Sequence, residues 1–469
     1  MDVGGAGDGD MVHGDRQKRL LRKVIIIMFW LVLWQCLAAA VDNAILLSTP
    51  IGTVRALSAM LGEAGFYLTV GNSLLRLGAG FLAGFAAAVL LAACAGRFPL
   101  LEEVLSPVIG LAKAVPMASF VVLLLIWWGS SFLAVAVCFL VVLPNVYINT
   151  LEGLKNADGQ LLEMAQVFRL PLWSRFFYIY RPALGPFWYS GLKVSLGMCW
   201  KAGVAAEVIG FPAHSIGGEL YLSKIYLDTA DVFAWTAVVV LLSCLFEKAV
   251  LYLAALFFAC EPSCRRPPEA APGVKTTTGC RNMGAAPGLS LVSVTKIYDG
   301  KTVLDKVSAS YAPGCTYYLT DPSGSGKTTT LHLLAGLLRP EGGYVEAPCG
   351  CSMVFQEDRL CEDYSAVKNV EMVMGSRRAA EEALGALLEG EALYKPCRQL
   401  SGGMKRRVAL VRAMEADSEY VLLDEPFTGM DARTRLLAEA YIRERQRGRT
   451  LVIATHQGPM AEPEASRKS

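Results

Sequence analysis

Charged residues are scarce in this chain. They form 18% of its 469 residues, against 54% hydrophobic, a balance too apolar for an ordinary water-soluble protein. The charges nearly cancel at a net +2, so no basic excess points to nucleic acid as a partner. None of the 13 cysteines falls in a Cys-x-x-Cys pair, and Cys349 and Cys351 stand too close together for a zinc knuckle. They read as small buried residues or reduced thiols. The first apolar run is not followed by an Ala-x-Ala cleavage site and a mature soluble domain, so it reads as a span and not a removable leader. No internal repeat is present.

What the chain has instead is a series of long apolar runs, at 24–41, 71–95, 105–127, 131–150, 186–209 and 232–259. A helix needs about 20 apolar residues to cross a bilayer core, so the runs read as six spans. Only Gly129 and two serines part the third from the fourth. Residues 1–15 are rich in Gly and Asp and read as disordered. Basic residues set the orientation. Arg16, Lys18, Arg19, Arg22 and Lys23 crowd the tail 1–23, and Lys155, Arg169, Arg175 and Arg181 crowd the loop 151–185. The segments 42–70 and 210–231 carry only Arg55 and Lys224. The basic side faces the cytoplasm, which places both termini inside. Residues 260–288 have the Pro, Gly and Thr content of a linker. A mixed α/β pattern fills 289–469, opening with a strand-like alternation at 289–294.

The chemistry lies in this last region. Residues 321–328 read Asp-Pro-Ser-Gly-Ser-Gly-Lys-Thr, a P-loop in which backbone N–H groups over Ser323, Gly324, Ser325, Gly326 and on to Thr329 wrap phosphates at a helix N-terminus. Lys327 reaches the β- and γ-phosphates, and the Thr328 hydroxyl serves Mg²⁺. Asp321 stands where the pattern has its first Gly, and an anion there weakens ATP binding. Residues 420–425, Tyr-Val-Leu-Leu-Asp-Glu, form an apolar strand tipped by two carboxylates. Asp424 is expected to hold Mg²⁺ and Glu425 to polarise the attacking water. His456 ends another strand-like run and is placed to touch the γ-phosphate. In the bilayer half, Lys201 and Glu207 are ionisable groups within an apolar run. Six residues apart on a helix, they face different sides.

Residues 289–457 resemble the ATPase domain of ATP-binding-cassette (ABC) transporters. The resemblance rests on the P-loop, Val354-Phe355-Gln356-Glu357, Leu400-Ser401-Gly402-Gly403, the Asp424-Glu425 pair, Asp431 and His456. It implies that Gln356 senses Mg²⁺ and the membrane domain, and that Tyr298 stacks on adenine. Ser401, Gly402 and Gly403 would bind ATP held by a second copy, with Asp431 in the adjoining loop. ATP and Mg²⁺ are thus the implied ligands, and a homodimer the implied assembly. The short interval from Lys327 to Gln356 suggests a trimmed antiparallel subdomain.

Residues 45–255 resemble permeases of the nitrate–sulfonate–taurine importer class. The likeness rests on Gly191-Leu192-Lys193, Leu196-Gly197, Trp200, Ala206-Glu207 and a loop with Glu163-Met164-Ala165. That loop is similar to the EAA loop of such permeases, whose short helix docks on the ATPase, although Arg169 replaces its usual Gly. The resemblance implies a prokaryotic plasma-membrane importer for a small solute of the nitrate/sulfonate/taurine or thiamine-precursor class, working with an extracytoplasmic solute-binding protein among membrane lipids. An ABC exporter half-transporter and a membrane-anchored ATPase without transport remain alternatives. The expected fold is an α-helical permease domain (24–259) joined to an α/β P-loop domain (289–469).

Overall fold

The computed structural model describes residues 8–41, 43, 45–259, 288–322, 324–348 and 350–456. The expected linker lies outside them except for Gly288, as do Ser323 of the P-loop and Gln457. Two compact units are present. One comprises Met1–Lys155 with Leu184–Ala259, the other Asn156–Ala183 with Cys260–Ser469.

The first unit is helical. Its elements are α1 (Asp8–Val41), α2 (Pro50–Met60), α3 (Ala64–Arg97), α4 (Pro99–Ala114) and α5 (Met117–Lys155). The stretch 1–15, read as disordered, is helical from Asp8 onward, because α1 continues through the basic cluster into the apolar run. Thr49 starts α2 by accepting from the Gly52 N–H at 3.0 Å, with Pro50 at the first helical position, where its missing N–H costs nothing. α3 packs closely on α5 through small residues. A Cβ on Gly80 would lie 2.5 Å from the Val135 carbonyl oxygen, and one on Gly84 would lie 3.0 Å from that of Phe139. Ala88, Ala92 and Ala95 continue the buried stripe.

Four helical stretches are long and apolar enough to cross a membrane among the described residues: Leu21–Val41, Ala64–Arg97, Ser119–Lys155 and Thr229–Ala259. They contain four of the six expected spans. The run 105–127 is not one helix: α4 ends at Ala114 ahead of Pro116, whose ring disfavours helical backbone in the residue before it. As expected, Gly129 (φ 72°, ψ 178°) breaks α5. The run 186–209 does lie in a long helix, but Lys193, Lys201 and Glu207 make it too polar to count among the four.

In the second unit, α6 (Gly159–Val167) is started by Asp158, whose carboxylate accepts from the Gln160 N–H at 2.8 Å. After α7 (Leu172–Arg175) and one π-helical turn at Phe176–Tyr180, α8 (Arg181–Gly210) leads back into the first unit, followed by α9 (Ile216–Ile225) and α10 (Thr229–Ala259). In the first unit, Glu207 of α8 is fully buried and Lys201 is exposed, so they do face different sides. The Glu207 carboxylate accepts from Ser73 Oγ at 2.8 Å and from the Gly217 N–H at 3.2 Å, tying α3, α8 and α9 together.

The cassette region carries two sheets. β1 (Leu289–Tyr298), β2 (Lys301–Tyr311) and β4 (Gly342–Glu346) form a small antiparallel sheet in the order β2-β1-β4. β3 (Thr316–Leu319), β5 (Cys351–Val354), β6 (Tyr420–Asp424) and β7 (Thr450–Ala454) form a parallel sheet in the order β3-β7-β6-β5. β5, β6 and β7 are buried at every position, as apolar parallel strands covered on both faces must be. The helices are α11 (Lys327–Leu334), α12 (Ala366–Met374), α13 (Arg377–Gly385), α14 (Gly402–Glu415) and α15 (Ala432–Arg445).

Candidate functional site

In parallel sheets, ligands gather beyond the carboxyl ends of the strands. Here β3 leads through the P-loop into α11, β7 leads to His456, and β6 ends at Asp424. Because the order is β3-β7-β6, these three strand tips are neighbours. Residues that are up to 129 positions apart therefore meet: Lys327 Nζ lies 3.2 Å from His456 Nδ1.

On the P-loop side, Gly326 caps α11 with φ 90°, a left-handed conformation suited to glycine. A Cβ there would approach Leu304 Cδ2 to 2.8 Å. Gly324 also has a positive φ, 84°. Lys327 Nζ donates to the Asp321 backbone carbonyl, so the residue replacing the usual glycine contributes its main chain to the loop. Its side chain is exposed, as are Gly324 and Ser325; Thr328 and Thr329 are half-buried in the first turn of α11. Tyr298 ends β1, with Lys296 Nζ 5.4 Å from its ring centroid.

On the carboxylate side, Asp424 is buried and the Thr328 hydroxyl hydrogen-bonds to it. Burial raises its pKa above the ordinary carboxylate value, with the Thr328 bond pulling the other way. Asp424 Oδ2 has no partner among the described residues. A buried, unpaired carboxylate oxygen beside a hydroxyl suits a hard cation that takes oxygen ligands, so these residues fit Mg²⁺. Glu425 takes a left-handed backbone, φ 47°. Its N–H donates to the Ala454 carbonyl at 2.9 Å, and Oε1 lies 2.9 Å from His456 Nε2. Lys327, His456 and Glu425 thus form one chain of polar contacts.

Ser401 caps α14, its hydroxyl accepting from the Met404 N–H at 3.4 Å. Gly402 and Gly403 form its first turn. A Cβ on Gly403 would lie 2.5 Å from the Gly429 carbonyl oxygen, so the two loops touch only because Gly403 lacks a side chain. Asp431 caps α15, accepting from the Thr434 N–H at 2.7 Å, and this bond lowers its pKa. Gln356 follows β5 and is exposed.

The EAA-like segment packs inside the same unit as these residues. Met164 and Ala165 have no exposed surface and share a cluster with Leu331, Met353, Phe355 and Tyr420. The Glu163 carboxylate pairs with Arg359 at 2.6 Å, and Arg359 stacks 4.0 Å from the Phe355 ring centroid. Tyr364 accepts from Arg181 at 3.1 Å and donates to the Phe177 carbonyl at 2.9 Å.

Sequence reasoning missed Arg359, Arg406 and Arg412. Arg412 is wholly buried, and burial lowers its pKa to about 10. It donates to the carbonyls of Arg359 and Asp358 and lies 5.1 Å from the Phe168 ring centroid. The one available signal was arginine on an otherwise apolar stretch of α14, which alone does not distinguish a buried clamp from a solvated charge.

Residues 304–428 match the family described as ABC transporter, and residues 80–257 match the binding-protein-dependent transport system inner membrane component. The aliphatic sulfonates import ATP-binding protein SsuB 1 of Rhodococcus jostii is 38% identical over 181 residues, 36% of this chain and 73% of that protein. The chain belongs to the ABC transporter family. The transporter is membrane-integral and joins an importer-type permease region to an ATP-hydrolysing cassette. Its cassette is also similar to the Fe(3+) ions import ATP-binding protein FbpC of Brucella abortus, 37% identical over 35% of this chain and 52% of that protein. The Nod factor export ATP-binding protein I of Paraburkholderia xenovorans is 35% identical over 35% of this chain and 60% of that protein. These relatives are named for different cargoes.

Proposed function

We propose that the chain is one protomer of a homodimeric importer that takes up a small solute of the nitrate, sulfonate or taurine class. The observation that carries this reading is the burial of Met164 and Ala165 in the core that also holds Phe355, next to Gln356. A segment of the permease region so embedded moves with the cassette around its ATP site, which is what coupling requires.

In this reading Lys327 and the α11 N-terminus bind the β- and γ-phosphates. Tyr298 stacks on adenine. Asp424 and Thr328, with Gln356, hold Mg²⁺, which when bound neutralises developing phosphate charge. Glu425 orients the attacking water, and His456 takes a position at the γ-phosphate in place of its contact with Lys327. Ser401, Gly402, Gly403 and Asp431 complete the partner's site. Both termini and the cassette face the cytoplasm, and a solute-binding protein delivers cargo from outside. Support for the sulfonate class comes from the Rhodococcus relative's name and the likeness of 45–255 to that permease class.

The experiment is uptake of labelled taurine, an alkanesulfonate and nitrate into energised cells that lack their own importers and express this chain with a candidate binding protein. ATP-dependent uptake of any one supports the reading. ATP hydrolysis without uptake of any of them refutes the cargo class.

A further inference from the structure

Arg406 lies in the second turn of α14 and is 3% exposed. Its guanidinium gathers backbone carbonyls from two distant segments. Nε donates to Glu425 O at 3.1 Å, and Nη2 donates to Glu425 O at 2.7 Å and to Asp424 O. Nη1 donates to Phe355 O at 2.5 Å and Gln356 O at 3.3 Å, and pairs with the Asp358 carboxylate at 3.0 Å. A guanidinium has five N–H groups in a rigid fork, and every nitrogen here is engaged.

The consequence for Glu425 is specific. Its left-handed backbone is a state that non-glycine residues adopt only when the surroundings over-determine it. Ala454 holds its N–H and Arg406 holds its carbonyl, so both sides of the residue are fixed while the carboxylate points to His456. The same guanidinium fixes the carbonyl of Gln356 from the helix that Ser401 caps.

We propose that Arg406 is a positioning residue for ATP hydrolysis: it locks the backbone of Glu425 and the Gln356 turn to α14, so that the water-orienting carboxylate is set before ATP arrives. The proposal rests on Glu425 orienting the water. Asp358 in turn holds the fork in place.

The test uses the full chain in detergent or nanodiscs, with ATPase kinetics and ATP binding measured on Arg406→Met and Arg406→Gln. Methionine keeps the stem and removes every donor; glutamine restores two. Expected is a kcat at least about tenfold below wild type in Arg406→Met, with KM within about threefold, and an intermediate kcat in Arg406→Gln. Wild-type kcat in a folded Arg406→Met protein overturns the proposal, and so does a KM that rises as much as kcat falls. If Arg406→Met does not fold, Asp358→Asn decides: a kcat lowered at least about threefold at unchanged KM supports the proposal, and an unchanged kcat overturns it. Glu425→Gln run alongside separates the two ideas. Turnover surviving in Glu425→Gln removes the reading of the site, whereas a dead Glu425→Gln beside a fully active Arg406→Met overturns Arg406 alone.

Discussion

The Glu163 carboxylate and the Arg359 guanidinium form an ion pair at 2.6 Å, binding the EAA-like segment to the strand-exit loop that begins at Phe355 and Gln356. Arg359 is nearly buried against Phe355 and Glu163 is half exposed. The Glu163 end of the pair is solvated and the Glu357 carboxylate lies 3.9 Å from the same guanidinium, so Arg359 keeps an acidic neighbour when Glu163 is replaced. Coupling between sites commonly amounts to about 5- to 150-fold, and Glu163→Lys is expected to lower solute uptake about tenfold or more while ATP still binds. Exchange of the pair, Glu163→Arg with Arg359→Glu, should recover part of the uptake. Uptake at the wild-type level in Glu163→Lys vesicles would remove the coupling role.

Glu425→Gln is expected to keep ATP affinity and lose turnover by about a hundredfold or more, because the amide cannot take the proton of the attacking water. Phosphate release under saturating ATP measures it, with dimerised cassettes accumulating. Near-normal release would mean that another group activates water.

For Asp321→Gly the expected change is in affinity. Its exposed side chain is not needed for the carbonyl that receives Lys327 Nζ, which glycine also has. Removing one screened negative charge several ångströms from the phosphates amounts to about 1 kcal/mol, so ATP should bind up to about tenfold tighter. Titration with a fluorescent ATP analogue reads this, and weaker binding would show that the side chain shapes the loop.

Asp424 sets a pH dependence. Burial raises its pKa in the fold above the unfolded value, so the folded state favours the protonated form. Its contribution to stability is therefore fully present below the unfolded pKa and is lost as pH rises through the folded one. Mg²⁺ needs the ionised carboxylate and should offset that loss. We expect saturating Mg²⁺ to raise the melting temperature more at pH 8 than at acidic pH. Asp424→Asn should abolish the Mg²⁺ effect without lowering the melting temperature of the metal-free protein. A Mg²⁺-dependent rise that survives in Asp424→Asn would place the ion elsewhere.

The sequence by itself determined the ingredients of the proposed ATP site. Gly324 to Thr328 are contiguous, Asp424 and Glu425 end an apolar run, and Ser401 opens a helix with its own cap. The strands β6 and β7 and the break at Gly129 were legible for the same reason, since chain-local sterics and short-period hydrophobic patterning encode them. The division at Val115–Pro116 needed the structure, because hydropathy averages over a proline. Only the tertiary structure decided which arginines are buried and what they hold. Arg359 finds Glu163 nearly two hundred residues away, and Arg406 reaches carbonyls of two separate strand exits. Backbone carbonyls carry no residue identity, so a side chain that recognises them leaves no partner to be read in the sequence. The strand order β3-β7-β6 likewise arises from long-range pairing, and it alone brings Lys327, His456 and Glu425 within reach of one another.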